Sequence, residues 1–357
     1  MTFLRHIALP SWPNAPVPKY PTYNYAWDIL TKLRRTLIAW KAADPETRGP
    51  PPPPTLVSFT PAPIFTFGRR QLSHQYRDSV LPLTHPLQVV PPSSSSSEED
   101  QGLWFRPEIE HAPRGGLTTY HGPGQVVFWP VIDLRSPLHA RFLVRDYTCL
   151  LEKTTIAALE QTTTTTTEPS GEKAETKRIG KLFASIENPG VWVTDDEREE
   201  RKIAALGVYL RRHVTGLGVA VNYATPVTGP KETNPWARIV ACGIGDKGVT
   251  SVKEEEARMR RMQGGEEEEL PDKEGDDEVA MKRLADTWAR EFAQRLGATG
   301  VEPGALEDVS GKGSSSSYTD AYVEAKTLSE CMPVDEDFEY PEDEEDKESD
   351  VQWPDLV

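Results

Sequence analysis

RGGLTTYHGPGQ, from Arg114 to Gln125, is the most unusual segment of the chain. Its four glycines allow the backbone to approach a ligand closely and to present its N–H groups. The side chains of Arg114 and His121 add hydrogen-bond donors, and residues 118–120 fit a short strand between two turns. Composition alone equally favours a surface hairpin with Gly-Pro-Gly as its turn. The segment lacks the GxxxxGK spacing of a phosphate-binding loop, which argues against nucleotide binding by that route.

Apolar patterns on both sides of this segment predict a mixture of strands and helices. Strands are predicted at residues 3–9, within 55–67, and at 126–134, 191–193, 202–210 and 219–222. Apolar residues recurring every three or four positions predict helices at 25–40, 141–159 and 281–296, the last ended by Gly297. Because the two element types do not alternate strictly, the sequence predicts an α+β fold with a mixed β-sheet core flanked by helices.

The acidic character of the chain is concentrated in a few segments. The 357 residues carry a formal net charge of −16, to which residues 311–357 contribute −12, residues 252–279 contribute −7 and residues 91–101 contribute −3. These segments and the threonine-rich residues 161–181 have the composition of solvated, low-complexity chain. The sequence therefore predicts one domain over residues 1–310, with insertions at about 91–101, 161–181 and 252–279, and a disordered tail over 311–357. The body without its acidic segments carries about +6, which favours encounter with acidic partners.

Composition also excludes several classes of protein. No apolar run reaches the roughly 18 residues that a transmembrane helix needs, so no membrane span is predicted. An acidic chain is a poor candidate for nucleic-acid binding, which requires a basic face. The cysteines Cys149, Cys242 and Cys331 are too few and too scattered for a disulfide scaffold or a zinc site, and no metal is predicted.

Two further stretches carry groups that could take part in chemistry. Lys202 begins the small, apolar run KIAALG, where a half-buried ammonium would stabilise an anion, although an exposed strand-end lysine is the commoner case. Cys242 lies between an apolar pair and a glycine-rich turn, whose N–H groups would lower the pKa of the thiol. An inert buried cysteine is again the commoner case, and it is the interpretation favoured for Cys149. Cys331, within the acidic tail, is predicted to have no catalytic role.

Together the three stretches suggest nucleophilic acyl chemistry. A cysteine nucleophile needs a cation or base that holds it as thiolate, N–H groups that stabilise an anion, and space for the acyl group. Cys242, Lys202 and the glycine-rich segments could supply these parts. Small residues between 204 and 220 would leave room for an apolar chain.

The sequence resembles the lipoyl(octanoyl) transferase family over roughly residues 3–300. Its motifs match in order: RGGLTTYHGPGQ at 114–125, GVWV at 190–193, RKIAALGV at 201–208 and ACGIGDKGVTS at 241–251. LRHIALP at 4–10 and FTFGRR at 65–70 match more variable parts of the family. The insertions resemble those of eukaryotic, especially fungal, members, which implies a mitochondrial location, with the cytoplasm as the alternative.

The resemblance implies a fold shared with lipoate and biotin protein ligases. It also implies an acyltransferase that moves an octanoyl or lipoyl group from octanoyl-acyl carrier protein to a lysine of lipoyl domains. The acceptors would be the lipoyl domains of 2-oxoacid dehydrogenase subunits and the glycine cleavage H protein. The octanoyl group would form a thioester on Cys242, Lys202 would lower the pKa of that thiol and handle protons, and no cofactor would be needed.

The resemblance also assigns a substrate-binding set. Its members lie in the glycine-rich segment and in two strands, and they are Arg114, Gly115, Gly116, Leu117, Thr118, Thr119, Tyr120, His121, Ala205, Leu206, Gly207, Gly218, Val219 and Ala220. The chain departs from the family at Leu217, where members often carry histidine. Two alternative functions stay open: an ATP-dependent lipoate protein ligase of the same fold, and a non-catalytic protein that binds acyl carrier or lipoyl domains.

Overall fold

The computed structural model describes residues 2–71, 80–90, 102–167, 174–195, 199–240, 247–262, 276–306 and 321–332. The helices in these ranges are α1 (Tyr23–Ala42), α2 (Val144–Thr163), α3 (Val252–Met262), α4 (Asp276–Leu296) and α5 (Leu328–Cys331). The strands of the first half are β1 (Leu4–Ala8), β2 (Lys19–Pro21), β3 (Thr55–Phe59), β4 (Ile64–Phe67), β5 (Leu87–Val90), β6 (Leu103–Phe105), β7 (Glu108–His111), β8 (Thr119–His121) and β9 (Gln125–Val131). Those of the second half are β10 (Thr164–Thr167), β11 (Ala174–Lys177), β12 (Lys181–Ala184), β13 (Gly190–Thr194), β14 (Arg201–Arg211), β15 (Val214–Asn222), β16 (Gly248–Val249), β17 (Val301–Pro303) and β18 (Tyr322–Glu324).

A mixed sheet forms the centre of the molecule. Its strand order is β12-β13-β14-β15-β9-β3-β1-β17, and β16 pairs with the start of β14. The pairs β1–β3, β1–β17 and β14–β16 are parallel, and the remaining pairs are antiparallel. The predicted α+β fold with a mixed sheet is therefore confirmed, and no helix among the described residues is long and apolar enough to cross a membrane.

Helices cover both faces of this sheet. Alternation along β9 shows the two cores: Phe128 packs beneath α2 and α4, where it stacks on Trp288 with ring centroids 4.5 Å apart. Its neighbours Val127 and Trp129 face the other way and pack beneath α1. Successive side chains of a strand point to opposite faces of the sheet, so β9 contributes apolar residues to both cores. Every long helix predicted from apolar spacing is present, and Gly297, at φ 82°, follows the end of α4 as predicted.

A smaller sheet, β7-β4-β8, contains the strand of the glycine-rich segment. β8 pairs with β4 through Phe65 and Tyr120, and both side chains are buried in a separate aromatic cluster. Residues 118–120 were predicted as a short strand, and β8 lies one residue further along. This packing holds the segment in place beside the β14–β15 hairpin.

The predicted insertions are only partly separate from the domain. The prediction for 252–279 is wrong for α3, where Glu255 is fully buried and accepts hydrogen bonds from Arg201 and Thr250, which offset the cost of burying its charge. Residues 161–163 end α2, and residues 164–167 pair with 174–177 as β10 and β11. Residues 91–101, 168–173 and 263–275 lie outside the described residues.

The predicted disordered tail also contains ordered structure. β18 pairs with β2, with Val323 opposite Tyr20, and α5 places the buried thiol of Cys331 3.5 Å from the carbonyl oxygen of Trp104. The prediction of disorder is therefore wrong for residues 321–332, because this part of the tail carries few charges and makes backbone pairs and apolar contacts with the domain. Residues 307–320 and 333–357 lie outside the described residues.

Candidate active site

A cavity opens on the α1 side of the sheet, where the β14–β15 hairpin meets the glycine-rich segment. The cavity is small, with a volume of about 40 Å³, and it opens to solvent. Its walls come from five separate parts of the sequence: Tyr23, Arg114, Thr119, His121, Val127, Trp129, Ala205, Leu206, Gly207, Leu217, Gly218, Val219 and Ala220. The fold thus brings together three segments that the sequence predicted as parts of one substrate site.

Not every predicted residue reaches this cavity. Those outside its walls belong to the glycine-rich segment: Gly115, Gly116, Leu117, Thr118 and Tyr120. Tyr120 instead points into the aromatic cluster beneath the small sheet. The sequence did not predict four of the wall residues, which are Tyr23, Val127, Trp129 and Leu217. Their apolar side chains look like ordinary core positions in the sequence, so no local signal marked them.

Arg114 fixes the shape of the glycine-rich segment. Its guanidinium donates to the carbonyl oxygens of Gly115 at 3.1 Å and Leu117 at 2.9 Å, and to both the carbonyl and hydroxyl oxygens of Thr66 at 2.7 and 2.8 Å. Five fixed donors make arginine suited to bridging several acceptors at once. The stem of the same side chain lines the cavity beside Gly207, where an added Cβ would lie 2.8 Å from Cδ of Arg114.

His121 is held as a neutral imidazole. Burial, the largest cause, and the nearby charge of Arg114 lower its pKa to about 4, against the opposing effect of the Gln125 hydrogen bond. The amide nitrogen of Gln125 donates to Asn222 Oδ1 at 2.8 Å and to the Tyr120 carbonyl at 3.1 Å. Its Oε1 is therefore the acceptor for Nδ1 of His121, 3.1 Å away. This assigns the proton of the neutral ring to Nδ1 and leaves Nε2 as an acceptor.

A chain of hydrogen bonds connects this histidine to the strand that carries Lys202. After Gln125, Asn222 donates to the carbonyl oxygen of Thr250 at 3.0 Å. The amide of Thr250 donates to the carbonyl oxygen of Lys202, also at 3.0 Å. Because Gln125, Asn222, Thr250 and Lys202 are all buried and paired, the network fixes the glycine-rich segment, β15 and β14 relative to one another.

Lys202 is buried, with 7% of its surface exposed. Its Nζ donates to the carbonyl oxygen of Pro189 at 3.3 Å and lies 4.7 Å from the centroid of the Trp192 ring. A carbonyl oxygen and an aromatic face both favour a cation. Lys202 therefore lies buried among small, apolar residues, as one of the two interpretations of the sequence expected. The other interpretation, an exposed lysine at the end of a strand, is excluded by this burial.

Glu152 is a buried carboxylate near this lysine that sequence reasoning missed. Its Oε1 accepts a hydrogen bond from the amide of Gly190 at 3.0 Å. Burial raises the pKa of Glu152 above its usual value, against the opposing effects of the Gly190 amide and the Lys202 ammonium. In the sequence it is one glutamate in an amphipathic helix, α2, and nothing distinguishes it from a surface residue.

Cys242 lies in 241–246, outside the described residues. Shortly after it in the sequence, β16 pairs in parallel with β14, and Val249 lies opposite Lys202. The ammonium of Lys247 lies 5.0 Å from the same Trp192 ring that Lys202 contacts. The described cysteines, Cys149 in α2 and Cys331 in α5, are both free thiols.

Known proteins resemble this chain in sequence. A family model described as the lipoyl protein ligase A/B catalytic domain matches residues 108–264. An octanoyltransferase of Paenarthrobacter aurescens (strain TC1) is 36% identical over 242 residues, which cover 68% of this chain and 81% of the relative. A probable octanoyltransferase of Schizosaccharomyces pombe is 32% identical over 206 residues, covering 57% and 69%.

An animal relative and a solved structure extend the comparison. The octanoyl-[acyl-carrier-protein]:protein N-octanoyltransferase LIPT2, mitochondrial, of Danio rerio is 31% identical over 203 residues, covering 57% of this chain and 68% of the relative. A bipartite lipoate protein ligase of Thermoplasma acidophilum matches in structure with a TM-score of 0.43 at 11% identity, covering 87% of this chain and 91% of the other. On the basis of its sequence identity to these relatives, this chain belongs to the octanoyltransferase family of acyltransferases.

Proposed function

We propose that this protein transfers an octanoyl group from acyl carrier protein to a lysine of a lipoyl domain, through a thioester on Cys242. The donor is proposed from the name of the Danio rerio relative, and the acceptor from the match to the lipoyl protein ligase model. The observation that carries the proposal is the buried Lys202 on β14, three residues before the first strand residue that lines the apolar cavity.

The first half-reaction loads the enzyme. The Cys242 thiolate attacks the carbonyl carbon of the octanoyl thioester, a new C–S bond forms, and the C–S bond to the carrier's phosphopantetheine breaks. The leaving thiolate takes a proton from the ammonium of Lys202. Before the transfer, the same ammonium stabilises the Cys242 thiolate, because a desolvated positive charge favours a nearby anion.

The second half-reaction transfers the octanoyl group from the enzyme to the acceptor lysine. The acceptor amine attacks the Cys242 thioester, a C–N bond forms, the C–S bond breaks, and neutral Lys202 takes the proton that the amine loses. The enzyme returns to a thiolate and an ammonium, so atoms and charges balance over the cycle. Conversion of a thioester to an amide is downhill, and the proposed reaction therefore needs no ATP.

The partners and location are further parts of the proposal. We propose lipoyl domains of 2-oxoacid dehydrogenase subunits and of the glycine cleavage H protein as acceptors, and the mitochondrion as the place of action. Relatives from Danio rerio and Arabidopsis thaliana carry the word mitochondrial in their names, whereas other relatives are bacterial. Fluorescence microscopy of the full chain tagged at its C-terminus tests the location, and an even cytoplasmic signal would overturn it.

Intact-mass measurement tests the thioester. The protein is incubated with octanoyl-acyl carrier protein, and an adduct of one octanoyl group is expected on the wild type and on the control variants Cys149→Ala and Cys331→Ala. The adduct and the transfer to a lipoyl domain should both be absent in Cys242→Ala. An adduct that persists in Cys242→Ala would overturn the assignment of the nucleophile.

The same assay separates this function from that of a ligase. A second arm supplies free octanoate with ATP and the lipoyl domain in place of the acyl carrier. The proposal expects product only from the carrier thioester. Product only from the free acid with ATP would establish a ligase, and binding of carrier or lipoyl domain with no product in either arm would establish a binding protein.

A further inference from the structure

Leu217 has a backbone conformation that a leucine rarely adopts. It lies inside β15 with φ at +60°, in the left-handed region, which costs an L-residue about 1–2 kcal/mol. The residues on either side, Gly216 and Gly218, are glycines. Strain of this kind persists where the surrounding structure enforces it, and it is often found where a side chain serves a function.

The strain turns the side chain to the other face of the sheet. In β15, Val214 and Ala220 pack beneath α1, whereas Val219 and Val221 pack beneath α2 and α4. Simple alternation would put Leu217 with Val219, yet it packs with the α1 cluster and is only 3% exposed. Its cross-strand partner Val208 stays on the opposite face, although paired residues ordinarily share a face. The result is a leucine in the wall of the cavity.

The register of the hairpin places this leucine at one end of the cavity. Ala205 pairs with Ala220, Gly207 with Gly218, and Val208 with Leu217. The first two pairs have small or absent side chains, so they leave space above the strands. Nζ of Lys202 reaches the level of Gly190, which pairs with Ala205. Leu217 pairs with Val208, three residues further along β14, roughly 10 Å at 3.4 Å per residue. The cavity therefore runs along small residues away from Lys202 and ends at Leu217.

A second layer lies behind that end. Tyr209 pairs with Gly216, one step beyond Leu217, and the guanidinium of Arg34 lies 4.2 Å from the centroid of the Tyr209 ring. A Cβ added to Gly216 would lie only 2.9 Å from Cδ of Arg34. The space beyond Leu217 is thus filled, and shortening the leucine can lengthen the cavity by only a small amount.

We infer that Leu217 sets the length of the acyl chain that this enzyme accepts, by contacting the terminal methyl group of the bound chain. The inference rests on the proposed function, since it takes the cavity as the acyl site. An acyl chain whose thioester lies near Lys202 would extend past the Ala205–Ala220 and Gly207–Gly218 pairs. Its last carbon would then meet the Leu217 side chain, and a longer chain would clash with it.

The test is a set of acyl-carrier donors with hexanoyl, octanoyl, decanoyl and tetradecanoyl chains. In Leu217→Ala, the ratio of kcat/KM for decanoyl over octanoyl should rise at least about tenfold, the usual size of one or two methylenes in an apolar pocket. The tetradecanoyl rate should stay low because Arg34 and Tyr209 remain. In Leu217→Phe, the preference should move the other way, toward hexanoyl.

The controls separate chain length from folding. Val208→Ala removes an apolar side chain at the same register on the opposite face, and it should leave the donor ratios unchanged. Leu217→Gly opens the same wall in a residue suited to positive φ, and it serves if the alanine variant does not fold. Unchanged donor ratios in both Leu217→Gly and Leu217→Phe would overturn the inference while octanoyl transfer by the wild type stands. Absence of octanoyl transfer in the wild type would instead overturn the proposed function, and the inference with it.

Discussion

The carboxylate of Glu152 accepts a hydrogen bond of 3.0 Å from the amide of Gly190. Gly190 lies on β13, the strand next to the one that carries Lys202. A Cβ added to Gly190 would lie 3.6 Å from Nζ of Lys202, so the peptide of Gly190 separates a buried anion from a buried cation. The helix α2 thereby contributes to the electrostatics of a strand that it does not belong to. We expect Glu152 to act as a positioning residue for Lys202.

Substitution of Glu152 separates its charge from its hydrogen bond. Glu152→Gln keeps an acceptor for the Gly190 amide, so we expect a stability within about 1 kcal/mol of the wild type and a lower kcat with little change in KM. Glu152→Ala leaves the Gly190 amide unpaired and should also lose about 1–3 kcal/mol of unfolding free energy. Urea denaturation and steady-state kinetics measure both. Equal kcat values for the wild type and both variants would show that the carboxylate is only structural.

Gly190 should not tolerate a side chain. Its φ is +138°, and an added Cβ would lie 2.6 Å from the carbonyl oxygen of Ala204. We expect Gly190→Ala to lose at least about 2 kcal/mol of unfolding free energy and most of the transfer activity, because β13 must shift beside Lys202. Gly49→Ala is the control, since nothing lies within 4 Å of a Cβ at that position. Thermal unfolding of the two variants gives the comparison, and equal midpoints would contradict the expectation.

Arg114→Lys should damage the cavity although the charge is kept. A lysine ammonium cannot reach the acceptors on Thr66, Gly115 and Leu117 together, so at least two of the four hydrogen bonds are lost. We expect a loss of about 2–3 kcal/mol of stability and a clear fall in kcat/KM. Arg48→Lys makes the same exchange where the guanidinium stacks on Trp40, and it should have a small effect. Wild-type stability in Arg114→Lys would show that these bonds contribute little.

The low pKa of His121 should make stability depend on pH. The folded value is about 4 and the ordinary value is 6.5, so between these limits the unfolded chain binds the extra proton. The contribution of His121 is then fully present above about pH 6.5 and is lost as the pH falls toward 4, by at most about 3 kcal/mol. Urea denaturation at a series of pH values should show a flatter profile for His121→Gln. Parallel profiles would mean that the histidine titrates alike in both states.

The sequence predicted those parts of the site that leave a local signal. Arg114 and His121 stand in a glycine-rich segment, and Lys202 stands in a run of small residues. Glu152 could not be found in this way, because its burial depends on a contact between α2 and β13 that no short pattern contains. The turned side chain of Leu217 was equally hidden, since periodicity assigns it to the opposite face of β15.

Charge counting was the least reliable guide to the fold. It identified α3 as part of an acidic insertion, although Glu255 faces Arg201 and Thr250 inside the domain. Net charge records how many ionised groups a segment has, and not whether each has a partner across the fold. The apolar spacing of α1 and α4, by contrast, reports directly on burial, and both helices were predicted within a few residues of their ends.

The pairing of β18 with β2 has a consequence for shortened versions of this protein. β18 covers one edge of β2, and Ala325 packs with Tyr20 and Phe105. A chain cut after residue 306 would leave an unpaired strand edge beside exposed aromatic rings, a combination that invites pairing with other molecules. The ordered part of the acidic end therefore does more than add charge, because it covers a strand edge and two aromatic rings of the domain.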